Sequence, residues 1–298
     1  MVIETPGLRM FRLVVKLGRV PFQHCKSLST PRSRRVAGIA FEVSSIRNVI
    51  DWTALPIILI LFIATLIRSV FGFGEALIAV PLLALMMPVE VAAPLAVLVS
   101  ITIAFLILLQ DWRLVQMRDA GWLVLSTLFG IPLGLLLLRA APESVVKTIL
   151  ALIIIAFSAF SLTGRHTREL TDDRFAWLFG FHAGVLGGAY GMNGPPLAIY
   201  GALRRWSPAR FRATLQGYFL PASVAGMAGY SLAGLWTPAV NHFYLVSLPG
   251  VVIAIFLGRN LNRRMHAPQF ISYVYVGLIA IGVVLLVQAI VGWSKMLR

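Results

Sequence analysis

Cysteine, acidic residues and charge in general are scarce in this chain, and each scarcity removes a class of function. Cys25 is the single cysteine, so no intramolecular disulfide can form and a cysteine-ligated metal or iron–sulfur centre is not expected. The five histidines, His24, His166, His182, His242 and His266, form no H-x-x-x-H or H-E-x-x-H pair, so no metal site is expected either. Charged residues make up 12% of the 298 positions against 59% hydrophobic ones, and the mean hydropathy of +0.87 lies far outside the range of soluble domains. Beyond Asp173 there is no acidic residue at all.

What is present is a succession of apolar runs. They occupy roughly residues 54–70, 76–87, 91–109, 120–138, 145–163, 175–190, 195–203, 213–232, 240–257 and 270–292. A bilayer core of about 30 Å takes about 20 apolar residues per crossing helix, so 76–87, 175–190 and 195–203 are too short to be dependable full crossings. The expected fold is an all-α polytopic membrane protein of about 7–9 transmembrane segments, leaving no room for a soluble catalytic domain. Residues 1–52 carry nine Lys/Arg, including the Arg32-Ser33-Arg34-Arg35 cluster. They read as a disordered basic tail without the apolar core and small-residue cleavage site of a signal peptide.

From residue 54 onward nearly every charge lies in a connection or at a helix end. Arg68 and Glu75 are the exceptions, inside the first hydrophobic block. A charge at mid-bilayer costs a few kcal/mol or more, so such residues usually face a partner or a watery cavity. A competing reading has Arg68 snorkelling from a helix end and Glu75 in an aqueous turn. The late excess of arginines, among them Arg204, Arg205, Arg210, Arg212, Arg259, Arg263 and Arg264, fits an electropositive vestibule for an anion or a positive-inside signal. Counting loops does not settle orientation, because eight spans with the tail inside would put these seven arginines outside.

The chain also contains an internal repeat. At an offset of 119 residues, Arg68 to Pro81 aligns with Gly187 to Tyr200, and Phe71-Gly72 falls on Tyr190-Gly191. The halves are expected over 53–170 and 171–298. Each stretch reads as apolar helix, glycine-rich break, then a short apolar piece, either a broken or a re-entrant helix. A break in lipid is tolerated only where the backbone is buried in protein or lines a cavity, and paired breaks in two halves point to a transporter's binding site. The pieces beginning near Ala76 and at Pro195-Pro196 would each turn a positive helix end toward the break, with Asn193 as N-cap. Two such ends make an anion site, to which Arg68 adds a forked cation. The expected substrate-contacting residues are Arg68, Phe71, Gly72, Gly74, Glu75, Gly188, Tyr190, Gly191, Asn193, Gly194, Pro195 and Gln216. Glu75, paired with Arg68 or protonated, and more weakly His182, are expected to couple transport to protons. Glycines that merely let helices pack closely are the alternative.

The same residues carry a family resemblance. Gly72-Phe-Gly-Glu-Ala with Pro81 downstream, Gly187-Gly-Ala-Tyr-Gly-Met-Asn-Gly-Pro-Pro-Leu-Ala-Ile-Tyr200, and Trp206-Ser-Pro-Ala-Arg-Phe-Arg-Ala-Thr-Leu-Gln216 resemble the TauE/SafE sulfite exporter family, also called the toluene sulfonate uptake permeases. The likeness spans roughly residues 54–293. It implies a multi-pass permease of the plasma membrane, arisen by duplication, that moves small sulfur-containing anions such as sulfite or organosulfonates. Members often carry glycines where this chain has Glu75 and Ala76, a departure that puts a carboxylate beside the anion site. The reading requires the bilayer and a small anionic substrate, with no cofactor, no metal and no nucleic acid. An anion channel is the nearest rival. A receptor or scaffold gives no reason for two broken helices, and a membrane-embedded enzyme would need more ionisable interior residues than Arg68, Glu75 and His182.

Overall fold

The apolar runs fold as helices whose ends fall on the proline, glycine and charged punctuation between them. A computed structural model describes residues 54–111, 117–163, 170, 172, 174–262 and 268–296. The basic tail over 1–52 lies outside the described residues. In chain order the helices are α1 (Ala54–Phe71), α2 (Glu75–Ala84), α3 (Val89–Asp111), α4 (Met117–Ala140), α5 (Glu143–Thr163), α6 (Phe175–Tyr190), α7 (Gly194–Leu203), α8 (Pro208–Leu232), α9 (Pro238–Asn262) and α10 (Pro268–Met296). Starts are locally encoded. Ser207 caps α8, its hydroxyl accepting from the Arg210 amide at 3.4 Å, and Pro208 occupies the first turn, where its missing N–H goes unused. In α5, Glu143 in the first turn pairs with Lys147 at 2.9 Å.

Among the described residues six helices are long and apolar enough to cross a membrane: α1, α3, α4, α5, α9 and α10. Helices α2 and α7 have 10 residues each, about 15 Å of helix at 1.5 Å per residue and only half a bilayer. Large apolar side chains cover the outside. Leu55, Leu59 and Ile63 on α1, Phe129, Leu133 and Leu136 on α4, and Val283, Val287 and Ile290 on α10 are exposed, a spread of apolar surface that suits lipid rather than water.

Ala54–Arg298 form one compact unit, in which the halves expected over 53–170 and 171–298 pack against each other rather than as separate bodies. Helix α4 lies against α6, α1 against α9, α5 against α10, and α3 against α8. Glycines fix the first of these seams. Gly130 abuts the backbone of Phe181, Gly184 and Val185, and Gly134 that of Val185, Gly188 and Ala189. The register advances in step, so α4 and α6 run parallel with backbones in contact. Helices α1 and α9 are parallel too, with Gly250 near Ile58 and Phe62, and Gly258 against Leu66 and Ser69. Helices α5 and α10 are antiparallel: Gly282 meets Ala151 and Ile155, whereas Gly292 meets Ser144.

Candidate functional site

Helix α1 ends because its chain turns left-handed twice, at Gly72 (φ 89°) and Gly74 (φ 100°), a conformation that side chains resist. The Gly72 amide donates to the Arg68 carbonyl at 2.6 Å, closing the last turn, and α2 opens with the Ile78 amide donating to the Gly74 carbonyl at 3.1 Å. The break is not left polar and bare. Gln216 on α8 donates its amide N–H to the Gly72 carbonyl at 2.8 Å, a side-chain repair of the kind that irregular backbone inside a membrane requires. Helix α6 ends in the same way at Gly191 (φ 66°), whose amide donates to the Gly187 carbonyl at 2.9 Å, and the chain re-enters helix at Gly194.

Within this frame lies a buried ion pair. Arg68 is 1% exposed and Glu75 2%, which excludes snorkelling and an aqueous turn. Arg68 Nη1 donates to Glu75 Oε2 at 2.5 Å and to Ser100 Oγ on α3 at 2.6 Å, while Nη2 donates to Gln216 Oε1 at 3.0 Å. The guanidinium also lies 4.6 Å from the ring centroid of Phe219, a cation–π distance. Ser223 Oγ donates to Ser100 Oγ at 3.3 Å. Gln216 thus ties the cation to the break, and four elements (α1, α2, α3 and α8) hold one arginine. Two polar atoms of the pair, Arg68 Nε and Glu75 Oε1, are buried with no hydrogen-bond partner among the described residues.

The two breaks meet at a single cavity. Its walls include Arg68, Gly74, Glu75 and Ser100 from the first half, and Gly191, Asn193, Gly194, Pro195, Phe219 and Ser223 from the second. The unfilled space out to its mouth is about 320 Å³, but only about 20 Å³ admits the centre of a water-sized sphere, room for about one water. The N-terminal ends of α2 and α7 border it, contributing the positive ends of two helix dipoles. Asn193 occupies the N-cap position of α7 without making a side-chain cap. Its Nδ2 donates to the Tyr218 hydroxyl at 3.3 Å; that hydroxyl lies 2.6 Å from Thr127 Oγ1, which spends its own proton on the Gly180 carbonyl at 2.8 Å. Tyr218 therefore donates to Thr127 and accepts from Asn193, and the relay sets the amide plane of Asn193 at the cavity wall.

Of the residues singled out in the sequence, Arg68, Gly74, Glu75, Gly191, Asn193, Gly194 and Pro195 line this cavity, with Gly72 and Gln216 immediately behind Arg68. Four lie elsewhere. Phe71 lines a separate apolar pocket. Gly188 packs on the Ile131 backbone of α4. Tyr190 is buried with its hydroxyl donating to the Val146 carbonyl at 3.0 Å. His182 is exposed on α6, its Nδ1 2.8 Å from the Leu178 carbonyl of its own helix, away from the pair it was expected to serve. Ser100, Ser223, Phe219 and Tyr218 are the site residues that sequence reasoning missed. A lone serine within the apolar run of α3 was the one available signal.

Comparison with known proteins identifies the family. The family description "Sulfite exporter TauE/SafE" matches residues 57–285, which contain both breaks and every cavity residue. The chain is 27% identical over 237 residues to the "Probable sulfite/organosulfonate exporter TauE" of Cupriavidus necator, an alignment covering 77% of this chain and 92% of that protein. No solved structure matches the chain. With two glycine breaks closing on one arginine inside a bundle of apolar helices, and a family match over more than three-quarters of its length, this chain is a multi-pass plasma-membrane protein belonging to the TauE/SafE sulfite exporter family of transporters.

Proposed function

We propose that the protein is a secondary transporter of small sulfur oxyanions, sulfite or organosulfonates, which bind at Arg68 between the two broken helices. One observation carries this reading: the positive ends of α2 and α7 and the buried guanidinium border the same cavity. The name of the Cupriavidus relative supplies the sulfur chemistry.

The two halves are read as inverted repeats. Each comprises five helices in the same order, with the break and a 10-residue helix at the same place and α2 beginning 119 residues before α7. The fifth helices, α5 and α10, run antiparallel, as a two-fold axis in the membrane plane requires. Helix α8, which is 25 residues long, counts as a further crossing, and α1–α2 and α6–α7 as broken spans. The cavity admits about one water, so a sulfur oxyanion needs one side to open. Rocking of one half against the other provides that opening.

Glu75 is the coupling group. Arg68 and Glu75 together are neutral, and among the described residues no other charged side chain lines the cavity. An arriving monoanion displaces the carboxylate from Arg68, and burying the extra negative charge is expensive. Protonating Glu75 restores neutrality, so one proton accompanies each monoanion. Radiolabelled sulfite and methanesulfonate flux into proteoliposomes tests both parts. The expected result is saturable flux that accelerates from the acidic toward the alkaline side, and for methanesulfonate, whose own charge is independent of pH, persists in Glu75→Gln without responding to the pH gradient. Non-saturable conductance would indicate a channel, and an unchanged pH response in Glu75→Gln would remove the coupling role.

A further inference from the structure

Gly74 separates the anion cavity from a second pocket of opposite character. This pocket is lined by Ile67, Phe71, Phe73, Leu77, Ile78 and Tyr275, together with Gly74 itself; like the anion cavity it has about 320 Å³ of unfilled space out to its mouth and enclosed room for about one water, so the opening that admits the anion must widen it as well. It holds no charged side chain, and the Tyr275 phenol is its one polar side chain. Gly74 and Leu77 belong to the walls of both spaces. A Cβ added at Gly74 would meet no atom within 4 Å, so the glycine faces open space. Its left-handed φ of 100° restricts the position to glycine. Phe73 borders the gap as well, approaching Gly194 at the start of α7 and stacking edge-on against Phe211 at 5.8 Å.

We propose that the pocket beyond Gly74 receives the organic group of a transported sulfonate while the oxyanion head remains at Arg68. The inference rests on the anion site described above and deepens it. A sulfonate is a compact charged head directly bonded to an apolar group, and the protein offers a cation and an apolar pocket whose shared walls are Gly74 and Leu77. Phe71, Phe73 and Tyr275 supply aromatic faces and edges for a planar group. Sulfite, with no organic group, uses the first cavity alone. Ile67, Ile78 and Tyr275, which line the apolar pocket and not the anion cavity, are then the residues that set substrate size.

The test holds the head constant and varies the tail. Flux of sulfite, methanesulfonate and benzenesulfonate is measured in proteoliposomes for the unaltered protein, Ile78→Phe and Ile78→Ala. Filling the pocket is expected to lower benzenesulfonate transport about tenfold, a difference of the size that apolar pockets achieve by shape, while sulfite and methanesulfonate flux stays within about twofold. Ile78→Ala is expected to shift preference toward benzenesulfonate, which guards against a filled variant that simply folds poorly. Equal effects on all three anions would overturn the subsite. So would loss of a co-purified lipid from Ile78→Phe with no change in selectivity, which would make an acyl chain the occupant. Failure of the unaltered protein to move any of the three anions would instead remove the sulfur-anion reading beneath it.

Discussion

At the scale of the residue, the site turns on one arginine with more partners than it needs for packing. A buried ion pair contributes little net stability, but removing one partner strands the other and costs about 3–5 kcal/mol. Arg68→Ala is therefore expected to lower the thermal midpoint sharply as well as abolish transport, whereas Arg68→Gln combined with Glu75→Gln, which leaves no charge behind, recovers most of the midpoint and none of the transport. A thermal-shift measurement on detergent-purified protein checks this. Tyr218→Phe is milder. It removes the acceptor of Asn193 and the donor to Thr127, so transport should fall several-fold at a cost of about 1 kcal/mol in stability; unchanged KM and turnover would show that the relay does not position Asn193. Arg68, Glu75 and the glycines were legible in the sequence because charge and helix breaks are rare in apolar runs. Ser100, Ser223 and Phe219 were not, because serine and phenylalanine are ordinary inside membrane helices and only the tertiary fold brings them to Arg68.

At the scale of the element, glycine does two separate jobs that the sequence spells alike. Gly72 and Gly191 have positive φ and end helices, and Gly74, also at positive φ, stands at the N-cap of α2. Gly130, Gly134, Gly184 and Gly188 lie within helices and let α4 and α6 touch. Gly188, expected at the site, belongs to the second group, since spacing alone cannot tell a packing glycine from a breaking one. Substitution separates them. Gly134→Val drives a side chain into the backbone of α6 and should destabilise by about 1–3 kcal/mol, with residual transport retaining its KM. Gly72→Ala combines a strained φ with a clash in which the added Cβ lies 2.6 Å from Arg212 Cγ, so it should disturb the Gln216 bridge and change KM. Equal KM in the two variants would show that the Gly72 break does not shape the binding site.

At the scale of the whole molecule, helix number and limits were readable from the apolar runs, but orientation was not, because the basic loops gave conflicting topology signals. Contacts between helices give their directions relative to one another. Since Ser144 at the start of α5 meets Gly292 near the end of α10, α5 and α10 begin at opposite ends of the bundle. In a Cys25→Ser background, Ala140→Cys and Asn260→Cys are expected to react with an impermeant thiol reagent from opposite faces of the membrane, and labelling from one face would refute inversion. In the proposed transport cycle a sulfur oxyanion takes the place of Glu75 at Arg68. Its clearest test is calorimetric binding of methanesulfonate, a monoanion at every working pH, to the purified protein, to Glu75→Gln and to the Arg68→Gln/Glu75→Gln double variant across a range of pH. Glu75→Gln is expected to bind methanesulfonate at least as tightly as the unaltered protein with no proton uptake, and the double variant not to bind; binding retained by a folded double variant would show that the anion does not sit at Arg68.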